Sequence, residues 1–145
     1  MSRKEEKIKR EIKDIVTCIN LYHGKTLVSI CGLPNHIDSV CRLFETFSAW
    51  DVNIDMISFT PSPSPLIAIA FTAEANQLEN IFKAVGDLKQ THTELRTEVV
   101  PERCKVVFSG KELAEKSGSA AYIFNAFAKS GIAIDIITTS HKEIS

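Results

Sequence analysis

Two aspartates at equivalent positions are the side chains in this sequence whose type and placement best suit chemistry. Asp55 and Asp135 each lie in an Ile-Asp-X-Ile segment, and the two segments are 80 residues apart. A pair of carboxylates can perform general acid–base catalysis when the environment separates their pKa values. The flanking sequence is repeated too, so duplication of one unit explains the match. We therefore favour a structural or ligand-contacting role for both aspartates over a catalytic one.

Other residue types that do chemistry lack the required spacing. Three of the four cysteines fall in apolar β-like runs and none forms a CxxC pair, so we expect buried, reduced thiols. The cysteines are Cys18, Cys31, Cys41 and Cys104, the first, second and last of these being in the apolar runs. The four histidines show no metal-ligand spacing, and we expect no metal site. The six glycines are isolated from one another, so we expect no phosphate-binding loop and no cofactor.

The charge balance argues against two classes of partner. The chain has 17 Lys and Arg against 18 Asp and Glu, a formal net charge of −1. Such a balance does not attract nucleic acid or anionic lipid. No apolar run approaches the roughly 20 residues that span a bilayer, and the charged N-terminus lacks a signal-peptide core. We expect a cytoplasmic protein that binds neither nucleic acid nor membrane.

The elements that position the two aspartates also occur twice. Residues 43–60 recur as residues 123–140, with apolar positions kept in register. Upstream, residues 27–32 and 105–110 each end a β-like run in glycine, before an amphipathic helix. Each copy therefore begins with a strand, a helix and a second strand.

The first copy is complete. The pattern predicts strands over 26–31, 52–56, 66–72 and 95–99 and helices over 38–50 and 78–88, the first helix capped by Asp38 or Ser39. This β-α-β-β-α-β order is that of a ferredoxin-like unit, with an antiparallel sheet and both helices on one face. Residues 14–22 form an additional strand, separated from 26–31 by a turn at residues 23–25. The predicted fold class is α+β.

The second copy predicts a strand at 105–110, a helix from 120 to 127 and a strand at 132–140, and we expect it to be incomplete at its C-terminus. The additional strand at 14–22 is our candidate for completing its sheet. The predicted organisation is a linker or short helix at 1–13, a strand at 14–25 completing the second unit, a first unit at 26–101 and a second unit at 102–145.

The small-molecule hypothesis rests on helix N-termini. In each copy the loop after the first strand leads to a helix, whose first N–H groups and positive dipole end can receive a carboxylate. The second loop ends in Ser117, Gly118 and Ser119, small residues that let a ligand approach the backbone. Ordinary helix capping is the alternative explanation.

The motifs described above resemble a known family. NIDMIS and AIDIITTS, each preceded by a strand and a glycine loop, and the closing TTSHKEIS are similar to the tandem ACT domains at the C-terminal end of aspartate kinases, over residues 14–145. The resemblance implies a noncatalytic regulatory fragment of an ATP-dependent kinase, whose catalytic domain belongs to the parent chain. It also implies feedback control of lysine, threonine and methionine synthesis, with lysine or threonine bound between ACT units of a homodimer.

The resemblance further implies effector contacts in both units. In the first unit they are Asn35, His36, Ile37, Asp38, Ser39, Asn53, Ile54 and Asp55. In the second unit they are Ser117, Gly118, Ser119, Ala133, Ile134, Asp135, Thr139 and Ser140. The first loop departs from the family pattern P-D-x-P-G, because Ile37 and Asp38 replace Pro-Gly, and the Asp38 carboxylate would repel an effector carboxylate. Phe59 and His141 depart from the pattern as well. A dimerisation scaffold with a decayed effector site is therefore the alternative function.

Overall fold

Two compact units make up the chain. The computed structural model describes residues 15–60, 62–111, 113 and 115–145, so the predicted linker or helix at 1–13 lies outside the described residues. The first unit is His23–Cys104, and the second consists of residues 15–22 and Lys105–Ser145. The first unit is thus a continuous segment, whereas the second combines residues from both sides of it.

The first unit has the predicted order of strands and helices. Its elements are β1 (Cys18–Pro34), α1 (Ile37–Ala49), β2 (Ile54–Phe59), β3 (Leu66–Glu74), α2 (Leu78–Thr91) and β4 (Arg96–Ser109), and β1 and β4 also contain residues of the second unit. The strand order is β2-β3-β1-β4, and β3 is antiparallel to both β1 and β2. This arrangement confirms the α+β, ferredoxin-like fold.

The core of the first unit lies between the two helices and one face of the sheet. Phe47 of α1 and Leu88 of α2 are buried in one apolar cluster with Ile69 and Phe71 of β3. Alternate residues of a strand point to the same face, so every second residue of β3 faces the helices. The apolar residues of α1 and α2, which recur with the helical period, pack against that face. The Phe47 and Phe71 rings pack edge to face, with centroids 4.8 Å apart. Both helices therefore cover the same face of the sheet.

The cap of α1 differs from the predicted one. His36 is the N-cap, with extended backbone (φ −142°, ψ 140°), and its Nδ1 accepts a hydrogen bond from the Asp38 backbone N–H at 3.3 Å. Asp38 already lies in the first helical turn. A capping residue must have non-helical dihedrals, so a residue within the first turn cannot serve. The prediction that Asp38 or Ser39 caps this helix is wrong.

Two predicted interruptions of the sheet are also wrong. β1 runs without a break through residues 23–25, where Gly24 adopts a positive φ of 70°. β4 likewise joins the two predicted strands at 95–99 and 105–110, passing through Pro101 and through Glu102 with φ 59°. Glycine and proline are signals of local turns, but β1 and β4 are neighbours in the sheet, and pairing of their backbones overrides those signals.

The second unit has a smaller core. Beside its part of β4 it contains α3 (Ser119–Lys129) and β5 (Glu143–Ile144), and β5 pairs antiparallel with β4. Ile15, Leu113, Ile123 and Ile144 form its buried cluster. The Thr17 backbone N–H donates to the Ser109 carbonyl at 2.8 Å. That bond joins residue 17 to the end of β4, and completion of this unit by the segment 14–22 stays a prediction.

The strand predicted at 132–140 is not regular. Residues 132–137 form no ladder with any described strand, and Ile132, Ile134 and Ile137 are exposed. Thr138 and Ser145 instead exchange two backbone hydrogen bonds of 2.9 Å, which closes a hairpin over residues 138–145. An alternating sequence can form a strand only where a neighbour accepts and donates its backbone hydrogen bonds.

The cysteines are exposed, which corrects the prediction of buried thiols. All four are solvent-exposed. On β1 of the first unit, Ile30 is fully buried while the adjacent Cys31 is exposed. Successive strand residues face opposite sides, and the helices cover only one side. The apolar run that contains Cys31 is therefore buried on the face that the helices cover and exposed on the other.

We expect Thr26→Val to stabilise the protein. Thr26 is fully buried, and its Oγ1 has no hydrogen-bond partner among the described residues. Valine has the same shape without the unsatisfied hydroxyl, so the free energy of unfolding should rise by about 1 kcal/mol in urea denaturation. Thr72→Val is the matched control, because the buried Thr72 Oγ1 accepts from the Met56 N–H at 3.1 Å. The control should lose about 1 kcal/mol, and a loss in both variants would contradict the argument.

Candidate functional site

Asn35, the first predicted effector contact, links two loops of the first unit. Its side-chain Nδ2 donates to the carbonyls of Ser62 at 2.9 Å and Ser64 at 3.1 Å. Its backbone N–H donates to the Pro65 carbonyl at 2.9 Å. Asn35 therefore holds the loop after β1 against the loop between β2 and β3.

The start of α1, predicted to receive a carboxylate, is occupied by its own chain. His36 accepts from the Asp38 N–H through Nδ1 and from the Ser39 N–H through its carbonyl, at 3.3 and 3.0 Å. The exposed Asp38 carboxylate lies 3.3 Å from the same Nδ1. Ile37 is exposed as well. Two first-turn donors are thus engaged, and a negative charge stands beside them.

The other predicted contacts of this unit, Asn53, Ile54 and Asp55, lie at the far end of the sheet. Pro34, at the end of β1, pairs with Leu66, whereas Ile54, at the start of β2, pairs with Ala73. These two positions on β3 are seven residues apart in sequence, which corresponds to about 24 Å along a strand. One copy of the unit does not bring residues 35–39 and 53–55 together.

Asn53 and Asp55 have different surroundings at that end. The Asn53 N–H donates to Gln77 Oε1 at 3.1 Å, and Gln77 donates to the Asp51 carbonyl at 2.9 Å, so a side chain before α2 orders the entry to β2. Asp55 Oδ2 lies 3.6 Å from Lys25 Nζ. Lys25 also donates to Glu74. Asp55 and Glu74 therefore share one ammonium group.

Lys25 lies at this site although the sequence did not predict it there. Its side chain is only 9% exposed, against 34% for Asp55 and 47% for Glu74. The hydrogen bond to Glu74 raises the pKa of Lys25, and the two nearby carboxylate charges add to this, while desolvation opposes it. Lys25 and Glu74 are directly paired in the β1–β3 register. The pairing of Lys25 with Glu74 could have been predicted only if residue 25 had been placed in a strand. The predicted turn at residues 23–25 left it outside one.

We expect Lys25→Met to destabilise the protein by about 2 kcal/mol in urea denaturation, because the two carboxylates lose their buried cation. A raised folded-state pKa means that this contribution is complete below the unfolded pKa of lysine, about 10.4, and is lost as the pH rises through the folded pKa. The difference from wild type should therefore stay constant between about pH 7 and 9 and shrink at higher pH.

Lys83→Met is the matched control for that measurement. Lys83 is an exposed lysine on α2, paired with Glu79 at 2.6 Å. Exposed pairs of this kind contribute less than about 1 kcal/mol. Equal losses in the two variants at neutral pH would show that burial of Lys25 contributes nothing.

In the second unit, the predicted loop residues surround the start of α3. Gly118 is the N-cap, with φ 92°, and has no side chain that could accept from the first-turn N–H groups. Ser119 is buried, and its Oγ donates to the Lys116 carbonyl at 2.8 Å, while Ser117 is exposed. In contrast to α1, this helix begins without a side-chain cap.

The remaining predicted contacts of the second unit lie after α3. Ala133, Ile134 and Asp135 are exposed and lie in the segment 132–137, which forms no ladder with a described strand. Thr139 forms an isolated bridge with Ile144, and Ser140 Oγ accepts from the N–H groups of Lys142 and Glu143. Thr139 and Ser140 are therefore hairpin residues, and effector contact by any of the five stays a prediction.

Two further findings concern metal binding and membrane-spanning helices in the described part of the chain. Within it, no cluster of three or more His, Cys, Asp or Glu side chains could hold a metal ion. None of the helices over the same residues is long and apolar enough to cross a membrane.

Comparison with known sequences finds relatives along most of the chain. It is 24% identical over 141 residues, 97% of its length, to an aspartokinase of Bacillus sp. strain MGA3. It is 27% identical over 134 residues, 90% of its length, to an aspartate kinase of Pseudomonas putida. The matches cover 34% and 32% of those proteins, so the chain spans about a third of the relatives it matches. No protein-family model matches it.

Comparison with solved structures agrees. The chain superposes on the regulatory subunit of aspartate kinase from Thermus flavus with a TM-score of 0.81 and 23% identity, covering 90% of this chain and 86% of that one. For E. coli aspartokinase III in complex with lysine and aspartate, the TM-score is 0.63 at 15% identity, over 90% of this chain and 28% of that one. The predicted resemblance is therefore confirmed: the chain is homologous to aspartokinases over nearly its whole length and has the fold of aspartate kinase regulatory subunits.

Proposed function

We propose that this chain is an amino-acid-sensing regulatory module of an aspartate kinase. The observation that carries the proposal is homology to aspartokinases over 97% of the chain, joined to the fold of a regulatory subunit. One structure of that fold, E. coli aspartokinase III, is a complex with lysine and aspartate. Lysine or threonine is the effector that we assign to this module.

Regulation by such a module requires no chemistry of its own. An effector that binds one of two conformations more tightly shifts the equilibrium toward it, by as much as the two affinities differ. The phosphorylation of aspartate by ATP, and hence feedback control of lysine, threonine and methionine synthesis, belongs in this proposal to the parent kinase.

A second copy of the chain would complete the first unit's site. β2 lies at the edge of the strand order, where its outer backbone groups can pair with another strand. If two β2 strands pair antiparallel, the start of one lies beside the end of the other. This brings residues 53–55 of one copy toward residues 35–39 of its partner, which removes the separation of about 24 Å within one chain.

The second unit is the better candidate for binding the effector's carboxylate. A helix N-terminus without a side-chain cap offers backbone N–H groups and a positive dipole end to an anion. The N-cap of α3 is Gly118, which has no side chain to cap the helix. The N-cap of α1 is His36, whose side chain does cap the helix, and Asp38 adds a negative charge to the first turn of α1. We therefore assign carboxylate recognition to α3.

Titration calorimetry with lysine, threonine and methionine tests the sensing function. We expect heat with one of them and a ligand-dependent change in sedimentation. No heat with any of the three would overturn the assignment. A tight dimer that is indifferent to all three would favour the alternative, a dimerisation scaffold, for which the occupied start of α1 is the supporting observation.

Phe59→Lys tests the proposed pairing of β2. Phe59 is 47% exposed at the end of this edge strand, so a charge there should weaken dimerisation at least about tenfold in sedimentation equilibrium, since the ammonium group would lose water contacts when the strands pair. Phe82→Lys is the control, because Phe82 is 56% exposed but lies on α2. If both variants associate as the wild type does, the dimer is formed elsewhere.

A further inference from the structure

Lys25 is placed unusually for a lysine. Its side chain is more than nine-tenths buried, and it extends from β1 past the intervening β3 to the start of β2. The ammonium group lies between Glu74, its directly paired residue on β3, and Asp55, whose Oδ2 is 3.6 Å away. A lysine is rarely buried to this degree unless its charge is paired.

The position that this ammonium occupies is acidic and reachable from solvent. Asp55 and Glu74 supply two carboxylates for one cation, and their side chains are 34% and 47% exposed. Charge-assisted hydrogen bonds from an ammonium to carboxylates are among the stronger polar contacts in proteins. A basic amino acid carries the same group at the end of its side chain.

We propose that Lys25 is a specificity-determining residue of the first unit, because its ammonium group fills the acidic position formed by Asp55 and Glu74 and excludes the ammonium group of a basic effector. The inference rests on the proposed effector function of residues 53–55. In this arrangement Lys25 acts as a built-in substitute for a ligand cation. The first unit then recognises an effector without a charge contribution from Asp55.

Removal of the Lys25 side chain should turn the acidic position into a binding site. We would measure thermal unfolding of the full chain carrying Lys25→Ala in the presence of n-propylammonium, which replaces the deleted atoms, and of 1-propanol, its uncharged analogue. Propylammonium should raise the Tm of this variant and bind about tenfold more tightly than propanol. Wild type should respond to neither compound.

Two further variants locate the effect. Leu27→Ala creates a vacancy two residues along the same strand, at a residue that is 8% exposed, and should show no preference for propylammonium. Lys25→Ala/Asp55→Asn should lose most of the preference, because one carboxylate is gone. Equal stabilisation by both compounds, or a preference that survives Asp55→Asn, would overturn the assignment of an ammonium position.

Calorimetry with lysine connects this position to specificity. Lys25→Ala should bind lysine at least about tenfold more tightly than wild type. Leu27→Ala should leave lysine affinity within about twofold of the wild-type value, because its vacancy lies at a different residue of the same strand and frees no carboxylate. An equal gain in lysine affinity in Lys25→Ala and Leu27→Ala would overturn the proposal, because the gain would then not depend on the Lys25 ammonium group.

The two hypotheses fail in different measurements. The absence of heat from the wild type with lysine, threonine and methionine would remove the sensing function. It would leave the propylammonium result intact, because that result needs no effector. Unchanged lysine affinity in Lys25→Ala, beside a wild type that binds threonine, would remove the specificity role alone.

Discussion

Gly110→Ala is expected to disrupt the second unit. A Cβ at this position would lie 1.7 Å from the Ile15 carbonyl oxygen and 2.8 Å from its carbon. Both atoms belong to the backbone, so a rotamer change cannot relieve the overlap. The Gly110 N–H also donates to the Lys142 carbonyl at 2.8 Å, which ties the same point to the C-terminal hairpin. The substitution should cost about 3 kcal/mol or more.

Residue-resolved hydrogen exchange is the measurement that separates the two units. Protection should fall in α3 and the 138–145 hairpin and persist in β3. Gly86→Ala is the control, because a Cβ there meets no described atom within 4 Å and alanine favours a helix interior by about 0.8–1 kcal/mol over glycine. If the amides of α3 exchange in the Gly110→Ala variant at the same rate as in the wild type, residue 15 does not contact residue 110 in solution.

Phe71→Ala should remove much of the stability of the first unit. Phe71 is fully buried on β3, and its ring packs against Phe47 at 4.8 Å and Phe44 at 6.2 Å between centroids. Truncation of a buried phenylalanine costs about 3–5 kcal/mol, since the site loses both transfer energy and packing contacts. A typical domain is stable by about 5–15 kcal/mol, so the variant should unfold at a much lower urea concentration.

Phe82→Ala provides the comparison for that measurement. Phe82 is 56% exposed on α2, so its removal leaves little cavity and should change the free energy of unfolding by less than about 1 kcal/mol. A loss below about 1 kcal/mol in Phe71→Ala as well would mean that the aromatic cluster is not the centre of the core.

The candidate site was only partly predictable. Repetition of the Ile-Asp-X-Ile segment identified Asp55, and the glycine loop identified Gly118 at the start of α3. The ion pair with Lys25 depends on which residue of β1 faces Glu74, and a shift of one residue would send that side chain to the other face. The separation of residues 35–39 from 53–55 likewise follows from strand direction, which local patterns do not contain.

Hydrophobic periodicity by itself determined the helices, the ferredoxin-like order and the repeat, because the residues that face one core recur at spacings set by local geometry. Only the tertiary structure decided the rest. Backbone pairing made β1 and β4 continuous, and the lack of a paired neighbour left residues 132–137 outside any ladder. One-sided helix packing exposed Cys31, and register placed Lys25 between two acids. These outcomes depend on contacts between residues distant in sequence, which a local pattern does not specify.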